Sequence, residues 1–237
     1  IIGAGPAGLA CGYVLAKAGV QVTILERGQY PGAKNMFGGI FFSDQMVKLI
    51  PGFYDQAPVE RFVAKKQYSM LVGNSQIAMT FEPEEFKSPP YNHSFIVRRS
   101  VFDRWFAGKV RQQGATIICG VTVNDFVWDG ERIIGVRTDS GDENVLFADV
   151  VICAEGANSL LSEKAALRNR MSMRTRCISV KEVIALPKDV IDERFHLTGR
   201  EGAAHEYFGG VADGMLGNGF IYTNLDSVSV GVGVVIS

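Results

Sequence analysis

The sequence predicts an α/β chain in two parts. One is a parallel βαβ unit carrying a β-meander; the other is an α+β part built on a mostly antiparallel sheet. Three observations carry that expectation. A glycine-rich turn, Gly3-Ala4-Gly5-Pro6-Ala7-Gly8, stands between a strand end (Ile1-Ile2) and a helical run reaching about Lys17. Three short strand-like runs separated by turn pairs follow between Val121 and Phe147. Strand-like pieces return after Arg176, over Cys177 to Leu186, Gly219 to Thr223 and Val228 to Ile236.

Each element has a local reason. Pro6 suits the first helical position, where its missing N–H is not needed, and Gly19 suits the position just past the helix end. Val20 to Glu26 alternates apolar residues and reads as the second strand, completing a βαβ unit. Lys65 to Leu71 and Gln76 to Phe81 flank Gly73-Asn74 as a hairpin, and the prolines between Glu82 and His93 mark a loop. Val101 to Gln113 reads as an amphipathic helix stopped by Gly114, followed by a short strand, Ala115 to Cys119. In the meander, Asp129-Gly130 and Ser140-Gly141 are the turn pairs. Val150 to Ala154 is a continuous apolar run, expected as a buried parallel strand. This order implies a discontinuous layout: residues 1–58 and 99–170 in the first domain, 59–98 and 171–237 in the second.

Composition narrows the functional classes. The chain has 237 residues, 47% hydrophobic and 21% charged, which is ordinary for a soluble globular chain. A formal net charge of -1 gives no electrostatic case for nucleic acid or an anionic membrane. No apolar run approaches the ~18 residues of a spanning helix, and no signal peptide is visible. The four cysteines, Cys11, Cys119, Cys153 and Cys177, include no Cys-x-x-Cys pair, and the three histidines, His93, His196 and His205, have no metal-ligand spacing. No metal site is therefore expected in this stretch. Isolated thiols fit a reducing cytoplasm. The absence of an initiator Met, and a last strand with no closing element, lead us to expect a fragment.

The glycine turn carries the chemistry. Gly-x-Gly-x-x-Gly after a strand, opening a helix, with Glu26 at the end of the next strand, is the Rossmann-type dinucleotide fingerprint. Gly3 permits the tight turn, Gly5 lets the backbone approach a pyrophosphate, and Gly8 lets helix and strand pack closely. The helix start, with Pro6 and Ala7, offers N–H groups and positive dipole to phosphate, and Glu26 can accept hydrogen bonds from ribose hydroxyls.

Two later segments resemble the glutathione-reductase-like flavoprotein superfamily. Val97-Arg98-Arg99-Ser100-Val101-Phe102-Asp103 looks like its R-x-x-F-D element, with Arg99 as the arginine. Asp103, placed in the first helical turn, is explained by the helix dipole. The meander followed by Ala154-Glu155-Gly156-Ala157-Asn158-Ser159 is similar to its second FAD contact, usually A-D-G-x-x-S, with Glu155 in the aspartate's place. Order and spacing favour FAD over a nicotinamide dinucleotide. The stretches Glu26-Arg27-Gly28, Pro31 to Gly39, Leu49 to Phe53, Ala57 to Arg61, Val180 to Pro187 and Gly219 to Asn224 resemble the FixC group, relatives of electron transfer flavoprotein–quinone oxidoreductase.

That resemblance implies an FAD-dependent oxidoreductase in which FAD receives electrons from an electron transfer flavoprotein and passes them toward a quinone. An iron–sulfur cluster is then expected on a ferredoxin-like partner or outside this stretch. It implies cofactor contacts from Gly3, Gly5, Pro6, Ala7, Gly8, Glu26, Arg27, Lys34, Asn35, Gly38, Gly39, Arg99, Val123, Ala154, Glu155, Gly156 and Ser159. It also leaves open a peripheral contact with the inner face of a membrane. Lys34 and Asn35 suit either a donor pair near the reduced flavin or a solvated loop. Arg99 suits either FAD or the start of the following helix, where a cation is disfavoured unless an anion is bound. Arg168, Arg170, Arg174 and Arg176 suit either a solvated loop or a docking face for an acidic partner.

Three other readings remain. Geranylgeranyl reductases resemble the chain broadly, but carry Y-x-W-x-F-P where Gly219-Phe220-Ile221-Tyr222-Thr223-Asn224 has neither Trp nor Pro; a flavin hydroxylase is akin. The chain could also be an electron-relay subunit, inactive until partners assemble. No nucleophile–base constellation is present, as suits a protein whose cofactor does the hard chemistry.

Overall fold

The computed structural model describes residues 1–34, 39–91, 94–139 and 144–236. Two compact units divide the chain: residues 1–35 with 100–170, and residues 36–99 with 171–237.

In the first unit, helix α1 (Pro6–Lys17) leads to strand β1 (Thr23–Glu26), which pairs in parallel with β6 (Thr116–Cys119). Ile2 bridges Leu25 on one side and Cys153 on the other, both in parallel. Helix α3 (Arg99–Gln112) buries Phe102, Asp103, Phe106, Ala107 and Val110, a spacing of three and four that puts one face inward. Asp103 lies in the second turn and is fully buried, so the dipole at the helix start does not account for it.

The meander follows as β7 (Val123–Asp129), β8 (Arg132–Thr138) and β9 (Val145–Phe147), all antiparallel. Asp129 pairs with Arg132, so its tight turn is Gly130-Glu131, one residue later than expected. Ser140 and Gly141 fall outside the described residues. Phe126 and Val136 pack with Ile2, Leu25 and Leu161 into the core of this unit. Burying each such side chain contributes about 1.5–3 kcal/mol.

The run Val150 to Ala154 departs from its expectation. Its ladder is short: Ile2 N donates to the Ile152 carbonyl at 2.8 Å and Ala154 N to the Ile2 carbonyl at 2.9 Å. Val150 is 72% exposed, whereas Val151 and Cys153 pack on the core. Hydrophobicity was continuous along the sequence, but only alternate residues find a partner.

The second unit is one large sheet. Among the described residues its order is β10 (Cys177–Ala185), β13 (Ser227–Val235), β12 (Gly217–Thr223), β11 (Glu201–Gly209), β3 (Arg61–Val72), β5 (Ser94–Ile96), β2 (Ile40–Phe42), with β4 (Ser75–Phe81) also on β3. All pairs are antiparallel except β11 with β3. Residues 36–58, assigned by sequence to the first domain, lie in this unit. The cause is packing: β2 pairs with β5, and Phe53 packs edge-on to Phe41 at 5.9 Å and to Phe95 at 5.3 Å.

Helix α2 (Asp44–Leu49) sits in that segment, α4 (Leu160–Lys164) follows the Glu155 loop, and α5 (Lys188–Phe195) packs Ile191 with Leu197, Ala203 and Val228. The sheet is tied to α5 by Arg61, which is fully buried. Its guanidinium reaches Asp192 Oδ1, the Glu201 carbonyl and the Asn224 carbonyl, each at 2.7 Å.

Candidate functional site

The glycine turn of the first unit is built from inside. Gly3 has φ +99°, and a Cβ on it would stand 2.5 Å from the Ala154 carbonyl oxygen. A Cβ on Gly8 would stand 1.9 Å from the Gly3 carbonyl oxygen and 3.3 Å from the Ala154 Cβ. Both positions therefore exclude side chains for the packing of strand, turn and helix. Gly5 differs: it is the N-cap of α1, with φ −77° and ψ 179°, and a Cβ there would meet nothing within 4 Å. Pro6 has no N–H, and the amides of Ala7 and Gly8 belong to the first turn, where no intrahelical acceptor exists. The turn thus presents amides and an uncovered glycine at the positive end of a helix.

Glu26 fixes this turn to the end of β1. Its Oε2 accepts the Ala4 N–H at 2.9 Å and its Oε1 the Gly28 N–H at 2.7 Å. A carboxylate oxygen has two acceptor sites, so the half-exposed Glu26 retains capacity for a hydroxyl. Arg27 is exposed beside it. Val123 begins β7 half-buried and packs on the core of this unit.

Glu155 is occupied differently from its expected role. Its Oε1 accepts the Leu161 N–H at 2.9 Å; its Oε2 accepts the Ser162 N–H at 3.0 Å and the Ser162 hydroxyl at 2.7 Å. The carboxylate therefore holds the start of α4. Ser159, at φ 44°, donates its hydroxyl to the Gly156 carbonyl at 2.6 Å and accepts Arg168 Nη1 at 2.8 Å. Arg168 thus closes its own loop, whereas Arg170 and Arg174 are exposed and Arg176 is half-buried. Lys34 is exposed; Asn35 and Gly38 lie outside the described residues.

The second unit holds the remaining expected residues. Gly39 is buried, and a Cβ on it would stand 2.1 Å from Cδ2 of Tyr222. It serves as the seat of an aromatic ring. Arg99 opens α3, half-buried. Burial, and then the charge of Arg99, push the Lys181 ammonium below its usual range.

Tyr222, Glu206 and Tyr68 share one face of the sheet: Ala204 pairs with Tyr222, while Glu206 pairs with Phe220 and with Tyr68. Of these, Glu206 and Tyr222 border a cavity of about 670 Å³ lined also by Phe42, Cys177, Ser179 and Phe220 among others. Burial, then the charges of Glu206 and Tyr68, push the Tyr222 phenol well above its usual range. Sequence reasoning missed this cavity. Its signal was the alternation Phe220, Tyr222 on one strand, which taken alone says only that a strand is present. Among the described residues no group of three or more potential metal ligands is assembled, and no helix is long and apolar enough to cross a membrane.

A family model described as FAD binding domain matches residues 1–198. The chain belongs to the FAD-binding domain family. It is 42% identical over its whole length to Protein FixC of Bradyrhizobium diazoefficiens and 41% identical to Protein FixC of Azorhizobium caulinodans. It spans 54% of the length of each of these curated relatives. Among solved structures it is similar to a geranylgeranyl bacteriochlorophyll reductase-like protein of Thermoplasma acidophilum. That likeness has a TM-score of 0.78 at 16% identity, over 99% of this chain and 55% of the other, and it concerns the fold.

The first unit fits FAD on its own geometry. The uncovered Gly5 backbone leaves room for a pyrophosphate, the start of α1 supplies amides, and Glu26 stands at the end of β1 with acceptor capacity left. FAD-binding domain membership, the FixC resemblance of the sequence and this cradle agree on the cofactor.

Proposed function

We propose that the protein is an FAD-dependent oxidoreductase that takes electrons from an electron transfer flavoprotein and passes them toward a quinone. The observation that carries this reading is the identity to FixC proteins along the whole chain, past residue 198 where the FAD-binding match ends. Identity confined to the cofactor cradle would speak only for FAD; here it extends through the sheet unit.

FAD, when bound, supplies the acceptor and donor of electrons. The chain's own residues bind and orient it. The amides of Ala7 and Gly8 would meet its phosphates, the Gly5 backbone would permit their approach, and Glu26 would receive its ribose hydroxyls. The backbone at Ala154 to Gly156 and the start of β7 at Val123 would provide its second stretch of contacts. Arg99 adds positive charge, and Lys34 and Asn35 are donors in the glycine-rich loop. The cluster that completes the chain of carriers belongs to a ferredoxin-like partner or to sequence outside this stretch, and a peripheral membrane contact would give access to a lipid-soluble quinone.

The likeness to the Thermoplasma acidophilum reductase-like protein favours a second reading, reduction of isoprenoid double bonds. The stretch Gly219 to Asn224 lacks the Trp and Pro expected for it. A third, a relay subunit without turnover of its own, is separated by multiple turnover of a soluble quinone. The test is anaerobic stopped-flow absorbance of the full-length FAD-loaded protein mixed with reduced electron transfer flavoprotein of the same source. We expect rapid bleaching of the flavin band, then recovery on adding quinone. A flavin band that stays unbleached would reject the donor.

A further inference from the structure

We propose that His205 is an acid-sensitive latch for the C-terminal end of α5: its neutral ring seats Phe195 on the sheet, and its protonated ring lets that helix end go. The device is independent of the electron carriers proposed above.

His205 lies on β11, opposite Gln67 of β3 and Ile221 of β12. Its ring meets the ring of Phe195, the last residue of α5, with centroids 5.3 Å apart at 60°. Phe195 packs in turn on the cluster of Ile191, Leu197, Ala203 and Val228 that joins α5 to the sheet. Lys65 holds the same helix end, donating from Nζ to the Phe195 carbonyl at 3.2 Å. Lys65 pairs with Ala203, two residues before His205 on β11, so ammonium and imidazole share one face of the sheet.

The surroundings of the ring decide which charge state fits. Nδ1 stands 3.5 Å from the Tyr207 hydroxyl, and Nε2 is buried with no hydrogen-bond partner among the described residues. A neutral ring can leave Nε2 as a bare lone pair. An imidazolium must carry a proton there, without an acceptor and beside an ammonium. The packed elements offer no counter-charge. On β3 the charge is that of Lys65 itself, with Glu82 3.9 Å from its Nζ. On α5, Asp192 is engaged by Arg61 and Lys188, and Glu193 and Arg194 are exposed. Ile221 of β12 is apolar, and burial raises the Tyr207 phenol further from ionisation. His196, exposed just past α5, would gain from a charge at a helix C-terminus, so its protonation opposes release. Burial, then the Lys65 charge, hold the His205 imidazolium below its usual range. The released ring therefore takes up a proton from about pH 6.5 downward while the seated ring resists it, and seating weakens as pH falls. Release stays local, because Asp192, about one turn earlier, remains on Arg61.

The test is amide hydrogen exchange of the full-length FAD-loaded protein, read by mass spectrometry at about pH 7.5 and about pH 5.5, each rate divided by its intrinsic rate at that pH. The amides to follow are those of His196 and Leu197, which donate to the Glu193 and Asp192 carbonyls. Their corrected exchange should rise up to about tenfold at the lower pH, the gain from one proton on a released ring of ordinary pKa, while the β12 peptide stays unchanged. His205→Gln and His205→Phe both remove the titration and keep His196, so in either variant the rise should vanish. FAD content and thermal midpoint show which variants are folded, and one folded variant suffices. No rise in the wild type, a rise that persists in a folded variant, or an equal rise in β12 overturns the latch.

Discussion

Replacing Gly5 by serine separates ligand space from structural space within one motif. Gly5 is the N-cap of α1, and its φ −77° and ψ 179° are the extended values that N-cap serines adopt. A Cβ there meets nothing within 4 Å. Serine is also a better N-cap than glycine by a few tenths of a kcal/mol. At about 2–4 °C per kcal/mol for a domain of this size, the FAD-free protein should melt about 1 °C higher, or unchanged. The same side chain fills the space through which a pyrophosphate would approach. Forcing an atom into such a contact costs about 1–3 kcal/mol, so FAD affinity should fall roughly ten- to hundredfold. The assay strips FAD from the full-length protein, follows rebinding by quenching of flavin fluorescence, and follows melting of the apo form by circular dichroism. FAD affinity within twofold of wild type would show that Gly5 does not face the cofactor. An apo midpoint lowered by 5 °C or more would show that the start of α1 is not open.

Gly8→Ala should do the opposite of Gly5→Ser: its Cβ would stand 1.9 Å from the Gly3 carbonyl oxygen, so the apo protein itself should lose about 1–3 kcal/mol, visible as a lower melting midpoint before any FAD is added. Arg61→Met should remove the guanidinium from Asp192, Glu201 and Asn224. Breaking a buried pair costs about 3–5 kcal/mol; Asp192 keeps Lys188 and is 19% exposed, so the lower end applies, a loss of about 6–12 °C. The same variant should change the acid limb. Burial pushes the Asp192 carboxyl up, but hydrogen bonds and charge from Lys188 and Arg61 outweigh it and hold it below the ordinary carboxylate range. A depressed acid stabilises the fold above its unfolded value and loses that contribution as pH falls. Wild type should therefore lose midpoint below about pH 4 more steeply than Arg61→Met, and parallel curves between pH 2 and 6 would refute the pairing.

Legibility in the sequence followed the range of the interaction that sets each element. The hairpin at Gly73-Asn74, the α1 span and the meander were readable because each is decided within about ten residues, and β8 and α1 begin and end where their patterns do. Strand β11 was not. Glu201–Gly209 carries Gly202, Ala203 and Ala204, poor strand formers, and exists because β3, far away in the chain, pairs with it in parallel. Gly202 even needs its lack of a side chain, since a Cβ would stand 2.8 Å from the Arg61 Cβ. The same range rule misplaced residues 36–58, whose partners Phe95 and Ile96 come from a strand too short for periodicity to mark.

For the site, the residue types were legible and their tasks only partly so. The glycine motif states its geometry locally, so the contrast between a crowded Gly8 and an uncovered Gly5 could be reasoned before any fold was known. Glu155 could not be read that way. Its position matches a cofactor segment, but one more methylene than aspartate lets the carboxylate reach the Leu161 and Ser162 amides and cap α4. Gly39 shows the same limit. In a glycine-rich loop it reads as ligand space, and the fold spends it on Tyr222, a residue 183 positions later in the chain. A glycine in such a loop therefore carries two meanings, room for a ligand or room for a side chain of the fold itself. Only the identity of the atom nearest its absent Cβ separates them. For Gly5 no atom is near; for Gly39 it is an aromatic carbon whose ring borders a cavity. Both glycines thus make room, Gly5 at the open start of α1 and Gly39 for the ring of Tyr222.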